Sequence, residues 1–387
     1  MMATSLREMQ LGDVIRFANG KAIKPGGEGR YPVYGSNGII GKSEESRHEN
    51  GVIIGRVGAY CGSVAYCPGK FWASDNTLVV FPINDDFDTK FLFYFLHDAK
   101  LSRYAGGAAQ PLVTQTVLKQ VAVKVPPLPV QRRVASILSA YDDLIENNLR
   151  RIKILEEMAR SLYREWFVNF RFPGHENVPK AQSPLGTIPK GWEVQKLGDL
   201  AENMRRNLPK GQLDEPKPYV GLEHIPRRSL ALDTWQMTTD LGSNKLEFKK
   251  GEVLFGKIRP YFHKVSVAPF DGLCSADTIV IRPRQEEHYA IVVACVSSDD
   301  FVAHATATSN GSKMPRANWD VLRDYGLVLP RGESVTQFAR VVGDAIIQQQ
   351  TLVSQTHNLR RTRDLLLPRL LSGQVPLSLE EETGTLE

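Results

Sequence analysis

The sequence predicts an α+β protein with two β-rich domains, related by pseudo-two-fold symmetry and separated by two long antiparallel coiled-coil helices. Three observations predict this fold: a repeat with a long period, strand patterns at the front of each copy, and a heptad pattern at the end of each copy. Alternation with period two is typical of strands, and apolar spacing of three and four is typical of coiled coils. The chain is therefore predicted to contain two copies of a unit made of one domain followed by one helix.

The repeat is carried by matching segments far apart in the chain. LREMQLGD at 6–13 matches WEVQKLGD at 192–199, and residues 51–82 align without gaps to residues 252–283. Such self-similarity indicates duplicated structural units. Insertions in the second copy account for an offset that grows along the chain.

The front of each copy is predicted to form strands between glycine and proline positions. GVIIGRVG, SVAYC and NTLVVFP carry this pattern in the first copy, and EVLFGKI, KVSVAPF and DTIVIRP carry it in the second. A short helix is predicted at 91–99 and at 288–298. Each copy then closes with a strand that runs into proline.

A long helix is predicted from Gln131 to Phe167, because neither glycine nor proline interrupts this segment and its apolar residues alternate at spacings of four and three. Asn148 occupies a seam position, where a buried polar residue can fix the register and the number of partners. The second copy repeats the element from Val335 onward with a more polar seam. Helices that merely dimerise are the alternative to a spacer between the domains. The predicted helix and subunit interface comprises Val134, Leu138, Tyr141, Ile145, Asn148, Ile152, Leu155, Leu162, Trp166, Phe338, Leu352, Leu359 and Leu366.

These patterns divide the chain into six parts. The segment after the first helix is rich in proline and glycine, which predicts a linker. The predicted parts are a first domain at 1–130, a helix at 131–167, a linker at 168–191, a second domain at 192–334, a second helix at 335–372 and an acidic tail at 373–387.

Composition is that of an ordinary soluble protein, with 42% hydrophobic and 24% charged residues. No apolar run approaches the ~18 residues of a membrane span, and no secretory signal pattern begins the chain. The four cysteines lack C-x-x-C spacing, which predicts neither a zinc site nor a disulfide framework and fits a reducing cytosol. A net charge of +5 is compatible with a nucleic-acid partner.

Three segments carry a resemblance to a known family. They are PPLPVQRRVASILSAYDDLIENNLRRIKILEEMARSLYREWF at 126–167, LRRTRDLLLPRLLSGQV at 359–375, and YPVYGSNGIIGKSEE at 31–45 together with GVIIGRVG and SDNTLVV. These segments resemble the central conserved region, the C-terminal conserved region and a target-recognition domain of type I restriction-modification specificity subunits. The second copy departs from the pattern, with PRGESVTQF where the first has PPLPVQRRV. This departure leaves open how alike the two docking surfaces are.

The resemblance implies a non-catalytic subunit that recognises double-stranded DNA. Each β-rich domain would read one half of a bipartite, asymmetric site, and the helices would set the gap and dock two modification (methyltransferase) subunits. Restriction subunits would bind outside these. No cofactor is expected on this chain, whereas S-adenosylmethionine, ATP and Mg are expected on the partners, in a bacterial or archaeal cytoplasm. A stand-alone sequence-specific DNA-binding protein is the alternative.

The stretch VYGSNGIIGKS at 33–43 nearly matches a nucleotide-binding P-loop. Lys42 and Ser43 fit the motif, but Ser36 stands where its first glycine should be, and the polar segment that follows is too short for the required helix. The sequence therefore favours a glycine-rich β-turn that faces DNA over a P-loop ATPase.

Other catalytic signals are weaker. Glu247-x-Lys249 with Asp240 upstream could suggest a nuclease, but this spacing most simply belongs to a strand with solvated charges. No methyltransferase tetrapeptide, no G-x-G-x-x-G opening a βαβ unit and no paired-histidine motif occurs. The chain is therefore predicted to hold no metal and no S-adenosylmethionine.

Candidate DNA contacts lie on glycine-rich loops or recur in both copies. GRVGAY at 55–60 mirrors GKIRPY at 256–261, and a basic side chain repeated in this way suits a phosphate or a guanine edge. The tyrosines rank lower because tyrosine is more often a core residue. The loops 106–115 and 310–318 are polar and begin with glycine. The predicted DNA-binding residues are Ser36, Asn37, Lys42, Arg56, Tyr60, Gln110, Thr114, Gln115, Lys257, Arg259, Tyr261, Asn310, Ser312, Lys313 and Arg316.

Overall fold

A computed structural model describes residues 6–107, 110–330 and 333–377 of the chain. Most of the predicted acidic tail, 378–387, lies outside the described residues. The chain divides into two compact units. Unit 1 comprises the described parts of Met1–Asp143 and Arg360–Glu387, and unit 2 comprises those of Leu144–Leu359.

Unit 1 is built on a six-stranded sheet and a separate two-stranded ladder. The order in the larger sheet is β2-β7-β5-β6-β3-β4, and its neighbours are antiparallel except for the parallel pair β3 and β6. In the small ladder, β1 pairs with β8. The strands are Arg7–Gln10 (β1), Ile15–Asn19 (β2), Tyr31–Gly35 (β3), Gly38–Ser43 (β4), His48–Gly55 (β5), Val64–Ala73 (β6), Thr77–Pro82 (β7) and Ala122–Val125 (β8).

Three helices begin in unit 1: α1 at Thr89–Asp98, α2 at Gln115–Lys119 and α3 at Leu128–Tyr163. The predicted start of the long helix at Gln131 is three residues late. The first helical turn accepts proline, since its N–H groups have no intrahelical partner, so the helix begins within PPLP.

Unit 2 contains a four-stranded sheet, a five-stranded sheet and two ladders of two strands. The orders of the larger sheets are β12-β20-β17-β18 and β13-β16-β19-β14-β15. The strands are Lys180–Ser183 (β9), Gly186–Pro189 (β10), Glu193–Lys196 (β11), Ala201–Asn203 (β12), Arg206–Leu208 (β13), Gly211–Val220 (β14), Gln236–Leu241 (β15), Lys245–Phe248 (β16), Val253–Gly256 (β17), Val265–Val267 (β18), Gly272–Ser275 (β19), Thr278–Pro283 (β20) and Gly326–Leu329 (β21).

The remaining helices of the described chain pack on these sheets. The buried, apolar helix Tyr289–Val296 (α5) and the adjacent helix Asp299–Ala307 (α6) lie in the main core of unit 2, together with residues from both long helices. Ser298 accepts a hydrogen bond from the Phe301 N–H and so caps α6. These helices are Leu197–Leu200 (α4), Tyr289–Val296 (α5), Asp299–Ala307 (α6), Trp319–Leu322 (α7) and Glu333–Leu371 (α8).

The sequence repeat is also a structural repeat. The small ladder of β1 with β8 in unit 1 corresponds to that of β11 with β21 in unit 2. The parallel pair of β3 with β6 corresponds to the parallel pair of β14 with β19. The α+β class with two β-rich units is therefore confirmed.

Within each unit the two long helices pack antiparallel. In unit 1, Leu138 of α3 shares a core with Leu367 and Leu370 of α8, and Arg363 Nη1 donates to Asp142 Oδ1 over 2.5 Å. In unit 2, Ile152 packs near Leu352, whereas the later residue Phe167 meets the earlier Phe338. The order along one helix is thus reversed along the other.

The predicted domain boundaries at 131 and 335 do not separate compact units. Both long helices contribute apolar side chains to the cores of the β-rich parts, so each unit contains a portion of each helix. The α-helical geometry of α3 also ends at Tyr163, and a π-helical turn at Arg164–Val168 replaces the last predicted turn.

The segment 168–191, predicted as a linker from its composition, is packed within unit 2. It contains the hairpin of β9 and β10, and its residues Phe172 and Ile188 are buried in the core of unit 2 beside Trp192. Gly174 and Gly186 have positive φ angles, so these glycines make turns within a packed segment.

Four free, buried cysteines lie in the described chain. Across the described residues, no group of three or more His, Cys, Asp or Glu side chains is placed to hold a metal ion. By length and composition, no single helix among these residues could span a membrane, although the bent pair Glu286–Val296 and Asp299–Ala307 passes the test jointly.

Candidate nucleic-acid interface

Three segments of unit 1 converge beside the end of β5: the loop after β5, the turn before β7, and the loop that precedes α2. Backbone hydrogen bonds join them. Arg56 N donates to Asn76 O over 2.9 Å, and Val113 N donates to Arg56 O over 3.0 Å. Gly58 N donates to Pro111 O over 3.1 Å. The backbone around Arg56 therefore lies at the centre of a three-segment junction.

Unit 2 repeats this junction with the equivalent residues. Lys257 N donates to Asp277 O over 2.8 Å, and Ala317 N donates to Lys257 O over 3.0 Å. Arg259 N donates to Pro315 O over 2.8 Å. The duplicated sequence thus builds the same backbone surface twice, with different side chains on it.

The stretch VYGSNGIIGKS forms a hairpin of β3 and β4 with Ser36 and Asn37 at its turn. The strand β5 follows, where a P-loop requires a helix, so the structure rules out the nucleotide-binding motif. Ser36 Oγ donates to Asn76 O over 2.8 Å, and Ser63 Oγ donates to Ser36 O over 2.5 Å. These bonds fasten the hairpin turn to the junction.

Gly55 allows this close approach. A Cβ at Gly55 would lie 2.7 Å from the carbonyl oxygens of both Ser36 and Tyr60. At the equivalent Gly256 the nearest atom would be 3.3 Å away, so the junction in unit 2 is less crowded.

The structure brings Ser36, Asn37 and Tyr60 together on the walls of one cleft of about 290 Å³. Tyr60 is 60% exposed, and its counterpart Tyr261 is 51% exposed. Both tyrosines, which ranked lower as DNA contacts because tyrosine is more often a core residue, therefore lie at the surface. Lys42 is exposed near the far end of β4, away from the hairpin turn.

The basic residues at the junctions differ in how far their side chains are hydrogen-bonded within the protein. Arg56 is half-buried, with an Nε atom that has no hydrogen-bond partner among the described residues. Lys257 Nζ donates to Ala276 O over 2.6 Å, and burial lowers the pKa of this ammonium group. Arg259 has a left-handed backbone with φ of 51° and lies 6.0 Å from the Phe262 ring. Lys257 therefore fastens the turn before β20 to the loop after β17 through its ammonium group.

The loop before α2 uses two of its predicted readers structurally. Thr114 Oγ1 accepts a hydrogen bond from Val117 N and caps α2, and Gln115 Nε2 donates to Asn19 Oδ1 over 2.8 Å. Gln110 is exposed. Ala108 and Ala109 of this loop lie outside the described residues.

The equivalent loop in unit 2 is closed by a backbone pair between Asn310 and Arg316, with distances of 3.0 and 2.8 Å. Arg316 Nε lies 3.6 Å from Asp277 Oδ1. Ser312 and Lys313 are exposed at the tip. This arrangement presents a polar and basic loop beside the junction.

Seven of the thirteen predicted seam positions are buried, and the other six are partly buried. Val134, Leu138, Ile145, Asn148 and Ile152 are buried, as are Phe338 and Leu352. Six others are partly buried: Tyr141, Leu155, Leu162, Trp166, Leu359 and Leu366. Near the end of α8 the buried positions are Leu367, Leu370 and Leu371, of which Leu367 directly follows the predicted Leu366.

The nuclease alternative finds no support in the geometry. Lys217 Nζ lies 3.4 Å from Glu247 Oε1, and Lys249 Nζ lies 3.0 Å from Asp271 Oδ2. Glu247 and Lys249 thus pair with different partners, consistent with charges on a strand.

Sequence reasoning missed two buried polar residues on α3. Gln131 accepts a hydrogen bond from Asp88 N over 3.0 Å and donates to Asp86 O and Pro126 O over 3.1 and 2.9 Å. Gln131 belongs to the quoted PPLPVQ segment. Its counterpart in the second copy is Val335, whose side chain cannot make these hydrogen bonds. Glu156 carried no signal, because it lies within an ordinary charged helical pattern.

Comparisons with known proteins agree with the predicted resemblance. Residues 6–157 match the family model of the type I restriction modification DNA specificity domain. The chain is 26% identical over 310 residues to the type I restriction enzyme MjaIX specificity subunit of Methanocaldococcus jannaschii, covering 74% of this chain and 69% of that protein. It is 23% identical over 411 residues to the Escherichia coli EcoDI specificity subunit, covering 98% and 91%.

A solved structure shares the fold. The S subunit of the type I restriction-modification system from M. genitalium matches with a TM-score of 0.62 at 14% sequence identity, covering 96% of each chain.

Proposed function

We propose that the chain is a specificity subunit of a type I restriction-modification system and that it selects the DNA sequence on which a modification and restriction complex acts. Each unit reads one half of a bipartite site in double-stranded DNA. The long helices set the gap between the halves and dock two modification subunits, with restriction subunits bound outside these. This chain contributes recognition, and the partner subunits contribute S-adenosylmethionine, ATP and Mg chemistry.

The observation that carries this proposal is the duplicated junction. The same backbone hydrogen bonds recur around Arg56 and around Lys257, so a basic residue has the same position in both units. Such residues suit phosphate contacts, which position a protein on DNA, while neighbouring side chains read base edges. Because Asn76 in unit 1 corresponds to Asp277 in unit 2, the two half-sites are expected to differ.

The predicted DNA-binding residues remain candidates within this proposal. Ser36, Asn37 and Tyr60 are the best supported in unit 1 because they share a cleft. Lys313 and Arg316 are the best supported in unit 2 because they lie on the polar loop beside the junction. Seam positions that pack within the helix pair are unsuited to docking a partner, whereas exposed helix residues are available for it.

Methylation mapping in a host that carries the chain and its modification subunits tests the proposal. We expect an asymmetric bipartite motif. Replacing residues 1–130 with those of another specificity subunit should change one half of the motif and leave the other unchanged. Assembly failure with any modification subunit, or tight specific binding by the isolated chain, would contradict the proposed role.

The spacer function has its own test. Inserting four residues, about one helical turn, into α3 should lengthen the gap while both half-site sequences stay the same. A change in the half-sites themselves would contradict this division of roles.

A further inference from the structure

A polar cleft in unit 1 extends beyond the residues that the sequence singled out. It lies between the hairpin turn of β3 and β4 and the turn before β7, and its volume is about 290 Å³. Val57 and Ile40 form apolar parts of the wall, and the exposed ring of Tyr60 lies at its side. Ile23 and Gly35 also line the cleft, and its polar lining residues are Ser36, Asn37, Ser74, Asp75 and Asn76.

Several of these polar groups have no partner in the described part of the chain. Ser74 is 4% exposed, yet its Oγ atom makes no hydrogen bond there. The side chains of Asp75 and Asn76 are exposed and likewise have neither an ion pair nor a side-chain hydrogen bond among the described residues. Because a buried hydroxyl without a partner is costly, Ser74 indicates a place where a bound group completes the hydrogen bonding.

The backbone of this turn is held firmly, so its side chains have defined positions. Ser74 N donates to Tyr34 O over 2.9 Å, and Thr77 Oγ1 donates to Ser74 O over 2.7 Å. Gly20 directly follows β2, and a Cβ there would lie 1.7 Å from Ser74 O. Glycine is therefore required where the end of β2 meets this turn.

The equivalent turn in unit 2 has its charged side chain and the neighbouring lysine engaged internally, although Thr278 Oγ1 is buried there without a partner among the described residues. Asp277, which corresponds to Asn76, lies 3.6 Å from Arg316, and Lys257 Nζ donates to Ala276 O. The open side chain of Asn76 is therefore a feature of unit 1, since the corresponding Asp277 pairs with Arg316.

A carboxylate on a DNA-facing surface can contact only certain groups of the DNA. It repels phosphates and weakens sequence-independent binding, but it can accept a hydrogen bond from an amino group on a base edge. Asn76 adds an amide that can accept and donate on an adenine edge. The two residues, adjacent in one fixed turn, suit a base that presents an exocyclic amino group.

We propose that Asp75 and Asn76, with Ser74 behind them, determine specificity for one base of the first half-site by binding the exocyclic amino group of adenine or cytosine in the major groove. This inference rests on the proposed function. It assigns a ligand chemistry to a turn that the candidate residues of the sequence did not include.

The test uses the full chain assembled with its modification subunits and short duplexes that carry the motif found by methylation mapping. Each position of the first half-site is varied in turn, and the dissociation constants are compared for the unchanged complex and for Asp75→Asn. Asparagine keeps the shape of the side chain and removes the charge. Asp85→Asn is the matched control, since this exposed residue lies beyond the other end of β7 and gives the same change in net charge.

We expect Asp75→Asn to reduce discrimination at one position of the first half-site by about 5- to 150-fold, the range of one good base contact. An analogue of that base without its amino group should weaken binding by the unchanged complex and have little effect on the variant. The Asp85→Asn complex should retain the original preferences at every position.

Uniform weakening across all sequences, unchanged discrimination, or a change confined to the second half-site would each overturn the inference while leaving the proposed function intact. Absence of any sequence-specific binding by the unchanged complex would overturn both. Circular dichroism and assembly of the Asp75→Asn complex check that the variant is folded.

Discussion

Replacement of Glu156 by alanine tests the packing of the second β-rich part against the helix pair. Glu156 is 8% exposed on α3. Its Oε1 atom accepts hydrogen bonds from Ser229 Oγ over 2.7 Å, Leu230 N over 2.7 Å and Ala231 N over 3.2 Å. It also accepts one from Gln349 Nε2 of α8 over 2.6 Å. A single oxygen therefore joins a loop and both long helices within unit 2.

The expected loss follows from the donors that alanine leaves behind. Two buried donors, Leu230 N and Gln349 Nε2, lose their acceptor, and each costs about 1–3 kcal/mol when buried without a partner, giving about 2–6 kcal/mol for the pair. Ala231 N keeps a second acceptor, Ser229 Oγ, at 3.2 Å. Water can enter from the adjoining cavity of about 350 Å³ that Glu156 helps to line. We therefore expect the free energy of unfolding of unit 2 to fall by about 2–4 kcal/mol.

Urea unfolding followed by tryptophan fluorescence measures this loss, because four of the five tryptophans, Trp166, Trp192, Trp235 and Trp319, lie in unit 2. Glu157→Ala is the matched control. Its side chain is 60% exposed and lies 3.9 Å from Lys153, so it should change the free energy by less than about 0.5 kcal/mol. Equal stability of the Glu156→Ala and Glu157→Ala proteins would refute the reasoning.

The same residue predicts a pH dependence. Burial raises the pKa of the Glu156 carboxyl above its ordinary value, although the hydrogen bonds from Ser229 and from the two backbone N–H groups oppose this shift. The folded state therefore binds a proton more readily than the unfolded state, and stability from this group is lost as the pH rises through the folded pKa. The stability of the wild type relative to Glu156→Gln should thus increase as the pH falls from neutral toward the ordinary carboxyl pKa, as measured by urea unfolding at each pH.

Three further substitutions test unit 1 by urea unfolding followed by circular dichroism. Gly55→Ala should destabilise the unit by about 1–3 kcal/mol and loosen the junction, because the new Cβ overlaps carbonyl oxygens, whereas Gly69→Ala meets no atom within 4 Å and should be neutral. Gln131→Ala should lower the free energy of unfolding by about 1–3 kcal/mol, because three backbone groups lose their hydrogen bonds to this side chain. Replacement of the exposed Arg132 by alanine should have little effect on it. Asp142→Ala should cost about 1–3 kcal/mol through lost hydrogen bonds from a tyrosine of α1 and an arginine of α8, and equal stability to the wild type would contradict that role.

Much of the fold could be predicted from the sequence because local patterns and duplication carried it. Strand periodicity, the heptad spacing and the match between the copies each depend on residues close together in the chain or on direct comparison. The errors arose where distant contacts decide the outcome. Proline and glycine in 168–191 indicated a linker, but Phe172 and Ile188 pack in the core of unit 2. Composition alone does not reveal this packing.

The candidate site was predicted less completely, for a related reason. Glycine-rich loops indicated the surface, and Ser36, Asn37 and Tyr60 do share a cleft. The open groups of Asp75 and Asn76 could be recognised only once the hairpin turn was placed against the turn before β7. Thr114, a predicted reader, instead caps a helix, a role whose signal depends on where that helix begins.

The duplicated junction explains how two recognition surfaces can diverge on one scaffold. The hydrogen bonds that place Arg56 and Lys257 are made by backbone N–H and carbonyl groups, which every amino acid except proline supplies. Exchange of the side chain therefore leaves those bonds intact. Substitutions such as asparagine at position 76 against aspartate at 277 can change hydrogen-bonding chemistry at little cost to the fold. Glycines such as Gly55 lack this freedom, because the approach of neighbouring carbonyls forbids a side chain there.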